Sequence, residues 1–490
     1  MLIPILCKEL LPGDSISYNN IVLARLAPML APIMHKMNIT ITHHAVANRL
    51  LWPTGYEKFF ANPIPNENTP VAPYFADIFI QPNELGDYFG LPIQTPHNDN
   101  GTPFTQYETI DKVSALPFAA YQKIYNDWYR DQNLVNVSNG EGQPYPDTLT
   151  DGLNQYSDFK QLRRRAWQHD YFTASLPFAQ KGEAVEIPIS NFEDVPVLNS
   201  RTPVGGDFKT AWNTLGGYEA RVDNVKTDSF PGETFYAKTS DLSDQAAVTI
   251  NTLRWAVRLQ EFLEKNARGG TRYIELVRSH FGVRSSDARF QRSEFLGWSN
   301  NPVVISEVLQ QSATTDDGTP QGEMAGHGIS VGGSKSVTYF AEEHGFFISI
   351  LSIRPKTAYS QGIDKMFSRF SAMDYAWPDF AHLGEQEVKY REIYYNGTAT
   401  DDETFGYMQR YAEYKYSNDR VAGEFRTNLN FWHMGRIFTE LPLLNQAFIE
   451  ARPTKRIFAV NLAGVNNYYI NVSHKLTMRR KLPKQGIPSL

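Results

Sequence analysis

Hydrophobic positions alternate with a period of two along several stretches of the chain and follow a helical period along only three. Residues 38–47 (NITITHHAVA) string together Ile39, Thr40, Ile41 and Thr42, β-branched residues that suit a strand. Residues 184–190 place Val185, Ile187 and Ile189 on one strand face. Residues 343–355 (EHGFFISILSIRP) are almost continuously apolar, the pattern of a strand covered on both faces. Near the C-terminus Tyr468, Ile470 and Val472 alternate. Residues 456–462 (RIFAVNL) read as the hairpin partner of that strand, with Gly464, Asn466 and Asn467 in the turn.

The first helical pattern covers 114–133, with Tyr121, Ile124, Tyr125 and Trp128 on one stripe and Pro117 near the first turn. The second covers 249–267, with Ile250, Leu253, Val257 and Phe262 apolar, and stops at Gly269 and Gly270. The third takes Thr271 as its N-cap, is expected to bury Ile274, Val277 and Phe281, and ends at Gly282. Before the second helix lies a long irregular stretch, 191–244, with nine acidic and five basic residues. Its aromatic residues Phe208, Trp212, Tyr218, Phe235 and Tyr236 argue for an ordered projection, and a loop of such length is usually functional.

Composition sharpens this picture. The 490 residues include 8 Trp, 26 Tyr, 30 Phe, 33 Gly and 29 Pro, which together favour short strands, long ordered loops and few helices. The single cysteine, Cys7, excludes an internal disulfide. No apolar run approaches the roughly 18 residues of a membrane span, and Lys8 and Glu9 interrupt the apolar start where a signal peptide would continue. The net charge of −6 is unevenly spread. The last forty residues hold eight Lys and Arg and no Asp or Glu, leaving −14 on the first 450. A second basic knot is Arg163, Arg164 and Arg165.

Catalytic and metal motifs fail on context. Residues 328–332 spell G-x-S-x-G around Ser330, but a nucleophile elbow needs a following helix, and 337–340 read as a strand. Adjacent His43 and His44 point to opposite faces of a strand and cannot grip one ion. His382, near Asp379, Glu385 and Glu387, fits a packed polar loop better than a metal site. No catalytic residue, metal or cofactor is therefore expected. Arg479, Arg480, Lys481 and Lys484 are candidates for contact with DNA phosphates, on a tail that Pro483, Gly486 and Pro488 keep extended.

Residues 359–388 (YSQGIDKMFSRFSAMDYAWPDFAHLGEQEV) resemble the most recognisable block of the major capsid proteins of small single-stranded DNA bacteriophages, the microviruses, and especially their gokushovirus-like branch. Further blocks agree in the same order: LPGDS (11–15), NRLLW (48–52), ALPFAAYQKIYNDWYRDQNL (115–134), HDYFTASLPFAQKG (169–182), ARGGTRYIELVRSHFGVRSSDARFQRSEFLG (267–297), QGEMAGHG (321–328), FGYMQRYAEYKY (405–416) and GIPSL (486–490). The resemblance implies a mainly β fold: one domain over 1–490, an eight-stranded antiparallel jelly-roll β-sandwich with long inserted loops and a few helices. It places 191–244 as a variable surface insertion at an icosahedral threefold axis. It implies that sixty copies build a T=1 shell around circular single-stranded DNA, with a small basic DNA-binding protein, other virion proteins and a bacterial surface receptor as partners. The protein would reside in the virion after assembly in the host cytoplasm. Inter-subunit candidates are Arg284, Arg289, Arg292, Arg369, Tyr375, Trp377, Phe380 and His382, residue types enriched at interfaces. Readings of another class are a carbohydrate-binding β-sandwich and a serine hydrolase using Ser330.

Overall fold

The structure is a computed structural model that describes residues 1–61, 69–93, 109–135, 146–182, 197–198, 236–237, 250–270, 273–282, 292–309, 324–462 and 465–482. The chain divides into two compact units, one of Met1–Ala179 with Gly269–Leu490, the other of Gln180–Arg268. Strands among the described residues are β1 (Ile3–Leu10), β2 (Ser15–Leu26), β3 (Met37–Ala47), β4 (Tyr74–Ile78), β5 (Ile110–Ser114), β6 (Val197–Leu198), β7 (Tyr236–Ala237), β8 (Glu294–Pro302), β9 (Val304–Leu309), β10 (Met324–Gly333), β11 (Val337–Phe340), β12 (Gly345–Pro355), β13 (Ala358–Tyr359), β14 (Glu385–Lys389), β15 (Thr404–Gln409), β16 (Asp419–Arg420) and β17 (Tyr468–Arg479). The protein is mainly β, and its pairings are antiparallel except the two-residue contact of β13 with β16.

Two sheets dominate the larger unit. One has the order β1-β12-β3-β8. In the other, β2 is central: β11 and β10 pair successively along one edge, β17 pairs along the other from Tyr468↔Leu26 to Arg479↔Ser15, and β9 lies beyond β10. Strand β2 alternates cleanly between buried and exposed positions. Its inward Val22, Ala24 and Leu26 share a core with Ile39, Ile41 and Leu351, while Ile16 and Tyr18 pack with Ala45 and Phe347. Among the described residues, the outward positions of β2 are thus left exposed or half-buried.

The four-stranded sheet is covered on both faces. Phe347 and Leu351 of β12 face the β2 side, whereas Phe346, Ile348 and Ile350 pack with Phe118, Tyr121 and Ile124 of helix Leu116–Ile124. That double cover explains the unbroken apolar run of β12, since neither side of the pleat meets water. The two histidines of β3 divide as their adjacency requires. His43 Nδ1 lies 2.9 Å from Ser349 Oγ, next to Tyr18 and Phe347. His44 packs on the other side against Trp128, Tyr129 and Phe295.

Several expectations are corrected. Residues 456–462 form no strand, and β17 pairs with β2 instead. Arg456 donates to the carbonyls of Asn430, His433 and Gly435 at 2.8, 2.9 and 2.9 Å, which holds this segment in a turn, and Phe458 sits under the Tyr468 ring. The first helix is α-helical only over Leu116–Ile124 and continues as a π-turn over Tyr125–Tyr129. There Asp127 Oδ2 accepts from Ser293 N at 2.9 Å and Ser293 Oγ at 3.0 Å. The third helix, Tyr273–Phe281, ends at Gly282 with φ +69° as expected, yet Phe281 is exposed. As the last helical residue it lies where the turn opens to solvent. The second helix spans Ile250–Gly269 and is followed by Gly270 at φ +92°. The expected strand at 184–190 lies outside the described residues, as does the insertion 191–244 apart from the short pair β6 and β7. Among the described residues no helix is long and apolar enough to cross a membrane.

Candidate functional site

The segment after β13 is ordered by polar contacts while its apolar side chains face water. Ile363 N donates to Arg391 O at 2.8 Å and Tyr395 N to Gln361 O at 3.0 Å, tying its start to 391–395. A side chain at Gly362 would overlap the Glu392 carbonyl, so this close approach requires glycine. Three single 3₁₀ turns follow, Lys365–Ser368, Ala372–Asp374 and Pro378–Phe380. Asp364 caps the first by accepting from Met366 N at 3.0 Å. Asp374 closes a capping box in the second, accepting from Ser371 N at 2.7 Å and from Phe370 N at 2.8 Å, and these bonds hold its carboxyl below the usual carboxylate range. Trp377 Nε1 donates to Ala372 O at 2.8 Å, and Trp377 N to the Tyr411 hydroxyl at 3.0 Å.

Arg369 anchors this ridge from below. Its guanidinium lies 3.3 Å from Glu413 Oε1 and over the rings of Tyr414 (4.5 Å) and Tyr375 (5.7 Å). Gln386 Nε2 donates to the other Glu413 oxygen at 2.6 Å. With its backbone so fixed, the ridge presents Met366, Phe367, Phe370, Met373, Trp377 and Leu383 to solvent, Phe370 at 85% exposure. Beside it lies a groove of about 820 Å³ bordered by Tyr171, Phe367, Arg369, Glu392, Tyr414 and Arg426. Tyr171 donates to Glu392 Oε2 at 2.9 Å, and burial raises the pKa of both groups.

The structure thus brings together Arg369, Tyr375, Trp377, Phe380 and His382 on one ridge. Tyr375, Trp377 and His382 are exposed, Phe380 is half-buried, and Arg369 is held by its own subunit. His382 is exposed, not packed in a polar loop. Arg292 lies elsewhere: it stacks on Trp128 at 4.5 Å, donates to Asp127 O at 2.7 Å and approaches Glu275. Arg284 and Arg289 lie outside the described residues, as do Phe208, Trp212, Tyr218, Phe235 and Lys484, and of Tyr236 only the backbone pairing in β7 is described. Among the basic candidates, Arg479 is exposed at the end of β17. Arg480 is engaged by buried Asp14 at 3.1 Å and by Glu9 O, and Lys481 is exposed with its stem near Gly13. Ser330 is buried in mid-strand in β10, donating to Pro302 O at 2.8 Å, and the strand runs on to Gly333. It has neither the exposure nor the following helix of a nucleophile. Among the described residues no three His, Cys, Asp or Glu side chains gather as metal ligands.

Sequence reading missed Met366, Phe367, Phe370, Met373 and Leu383. A signal was present: apolar residues with neither a two-residue nor a helical period, interleaved with Asp, Ser and Pro, have no core face to occupy.

Along residues 1–490 the sequence matches the family described as capsid protein (F protein). The chain belongs to this capsid-protein family. Capsid protein VP1 of Bdellovibrio phage phiMH2K is 35% identical over 525 aligned positions, covering 100% of this chain and 92% of that protein. Capsid protein VP1 of Chlamydia phage 1 is 34% identical, again over 100% of this chain and 92% of the relative. Capsid protein VP1 of Spiroplasma virus 4 is 32% identical over 92% of this chain and 84% of its own length. Membership in the capsid family gives the chain a structural role in a multi-subunit phage shell, and it accounts for an ordered surface that displays aromatic groups.

Proposed function

We propose that this capsid protein is a jelly-roll subunit, a single domain over 1–490, of which sixty copies close a T=1 icosahedral shell around circular single-stranded DNA. The similarity to three phage capsid proteins, over the whole chain for two of them and 92% of it for the third, carries this reading. The ridge from Met366 to Leu383 supports it, because contiguous exposed apolar surface on an ordered scaffold is what a neighbouring copy covers. In this reading Tyr375, Trp377, Phe380 and His382 meet the next subunit. Arg369 positions them from within, Arg284 and Arg289 serve a second contact, and Arg292 braces its own subunit through Trp128 and Asp127. The insertion 191–244 faces the host receptor. Arg479, Lys481 and Lys484 contact the genome.

Charge requires a further component. Sixty copies at −6 sum to about −360, so the shell itself cannot neutralise a packaged polyanion. A small, very basic protein or polyamines fill that role, alongside other virion proteins, in particles assembled in the host cytoplasm.

Negative-stain electron microscopy of particles from infected cells tests the reading directly. Closed shells of one diameter containing this chain are expected, and a discrete small oligomer would point to the carbohydrate-binding alternative. Removing residues 200–240 should abolish adsorption to host cells and leave particles intact; unchanged adsorption refutes the receptor assignment.

A further inference from the structure

The outward face of the five-stranded sheet carries a chemistry that capsid membership does not specify. Register places Ser15, Ser17, Ile21, Leu23 and Arg25 of β2 on this face, with Tyr469, Lys475, Thr477 and Arg479 of β17 beside them. Across the other edge of β2 come Val331 of β10 and Thr338 and Phe340 of β11. Arg25, Lys475 and Arg479 are exposed, and no ion pair holds them among the described residues. Among the described outward positions of these strands no carboxylate stands: Glu307 of β9 pairs with buried Gly326 and so points to the opposite face. Tyr469 and Phe340 are both more than half exposed.

One end of the face is concave. A groove of about 410 Å³ is lined by Ser15, Ser17, Thr338, Phe340, Thr477 and Arg479. Phe340 and Arg479 flank Ser15 from opposite sides, two interstrand spacings or about 10 Å apart. Ser15 lies between the ring and the guanidinium, and Thr338, Ser17 and Thr477 form the next outward row across the same three strands. From Tyr469 to Arg479 the face runs about 33 Å at about 3.3 Å per residue, with Lys475 about 13 Å from Arg479.

We propose that this face is a track for single-stranded nucleic acid, and that its groove holds one nucleotide, with Phe340 stacking on the base and Arg479 pairing with the phosphate. The arrangement joins the two components of non-specific single-strand binding, a groove of fixed cations and aromatic platforms open to a base face. The hydroxyls of Ser15, Ser17, Thr338 and Thr477 supply donors for phosphate or sugar oxygens. The track requires single strands, because a base buried in a duplex offers no face to Phe340. It rests on the shell reading only for the source of the strand, and it deepens that reading by assigning the sheet face that meets the genome.

The test measures binding of the purified full-length chain to a fluorescent twelve-nucleotide oligo-dT and to a duplex of equal length, by anisotropy over a range of salt. Preference for the single strand is expected. Lys475→Gln with Arg479→Gln should weaken oligo-dT binding about tenfold at low salt and make its salt dependence shallower by about 0.7 per phosphate contact removed. Phe340→Ala should weaken binding about fivefold or more with the salt dependence unchanged, and Phe340→Tyr should restore it. Unaltered denaturation midpoints confirm that these surface variants fold. Equal affinity across all variants overturns the proposal, as does a change in subunit association without a change in oligo-dT binding, which would make the face a protein contact. Ultraviolet crosslinking in purified particles separates the two readings. Crosslinks confined to other segments, in particles that form normally, reject the track and leave the shell. Loss of oligo-dT binding in the variants of a chain that never forms particles rejects the shell and leaves the track.

Discussion

Strand β12 and the ridge from Met366 to Leu383 are both rich in large apolar side chains, and both are ordered, by opposite means. In β12 the apolar groups make the order: Phe347 and Leu351 fill one core, Phe346, Ile348 and Ile350 another, and every residue from Gly345 to Ser352 is buried. In the ridge the order comes from Asp364, Asp374, Tyr411 and the Arg369–Glu413 pair, while Phe367, Phe370 and Met373 touch water. A fold gains nothing for its own stability from displaying such groups. Their order is therefore independent of their burial, which leaves them available to be covered by another copy.

The largest loss of stability falls in the core. Phe347→Ala should cost about 3–5 kcal/mol in chemical denaturation, because a fully buried ring leaves a cavity between two sheets that cannot close over it. The two histidines of β3, one on each side of the sheet, add a pH dependence. Burial lowers the pKa of His43 to about 4 and of His44 to about 3, against an ordinary value of 6.5. Above about pH 6.5 both states hold neutral imidazoles. Below it the unfolded chain takes up protons that the folded chain refuses, so stability falls as pH drops from 6.5 toward 4 and then 3. For His43 alone the loss is on the order of 3 kcal/mol across its window. Unfolding curves between pH 7 and 4 should show it, and His43→Gln should flatten the slope. On the ridge, Glu413→Ala strands the Arg369 guanidinium and the Gln386 amide, a cost of about 1.5–3 kcal/mol. Limited proteolysis should then cut near Phe367 and Arg369, where the intact protein resists.

These differences mark what was legible from residue order. The double cover of β12 was legible because an unbroken apolar run has no other stable home in a β protein. The opposed fates of His43 and His44 followed from strand geometry alone. The partner of β17 was not legible. Residues 456–462 are near in sequence and apolar, but Arg456 captures three carbonyls and turns the chain, leaving β2, more than 440 residues away, as the partner. The site was half legible. Residue type singled out Tyr375, Trp377 and Phe380, yet nothing local separated Arg369 and Arg292, which bind their own subunit, from a cation that faces solvent such as Arg479. An arginine reads alike in sequence whether a carboxylate folds back onto it or not.

The smallest expected effect on folding is the sharpest test of the comparison. Phe370 is 85% exposed, and only its backbone N–H engages Asp374. Truncation to alanine keeps that bond and removes a side chain that buries little in the free subunit. The denaturation midpoint of Phe370→Ala should therefore stay within about 0.5 kcal/mol of the parent. If a neighbouring copy covers the ridge, the same change removes a buried aromatic anchor from every contact of its kind in a closed shell. Such anchors cost about 2 kcal/mol or more each when truncated. Repetition around the shell compounds a loss that one subunit hardly registers. Sedimentation of particles formed with Phe370→Ala should show the chain shifted from shells to free subunits. Full particle yield with an unchanged midpoint would mean that the ridge meets no other copy.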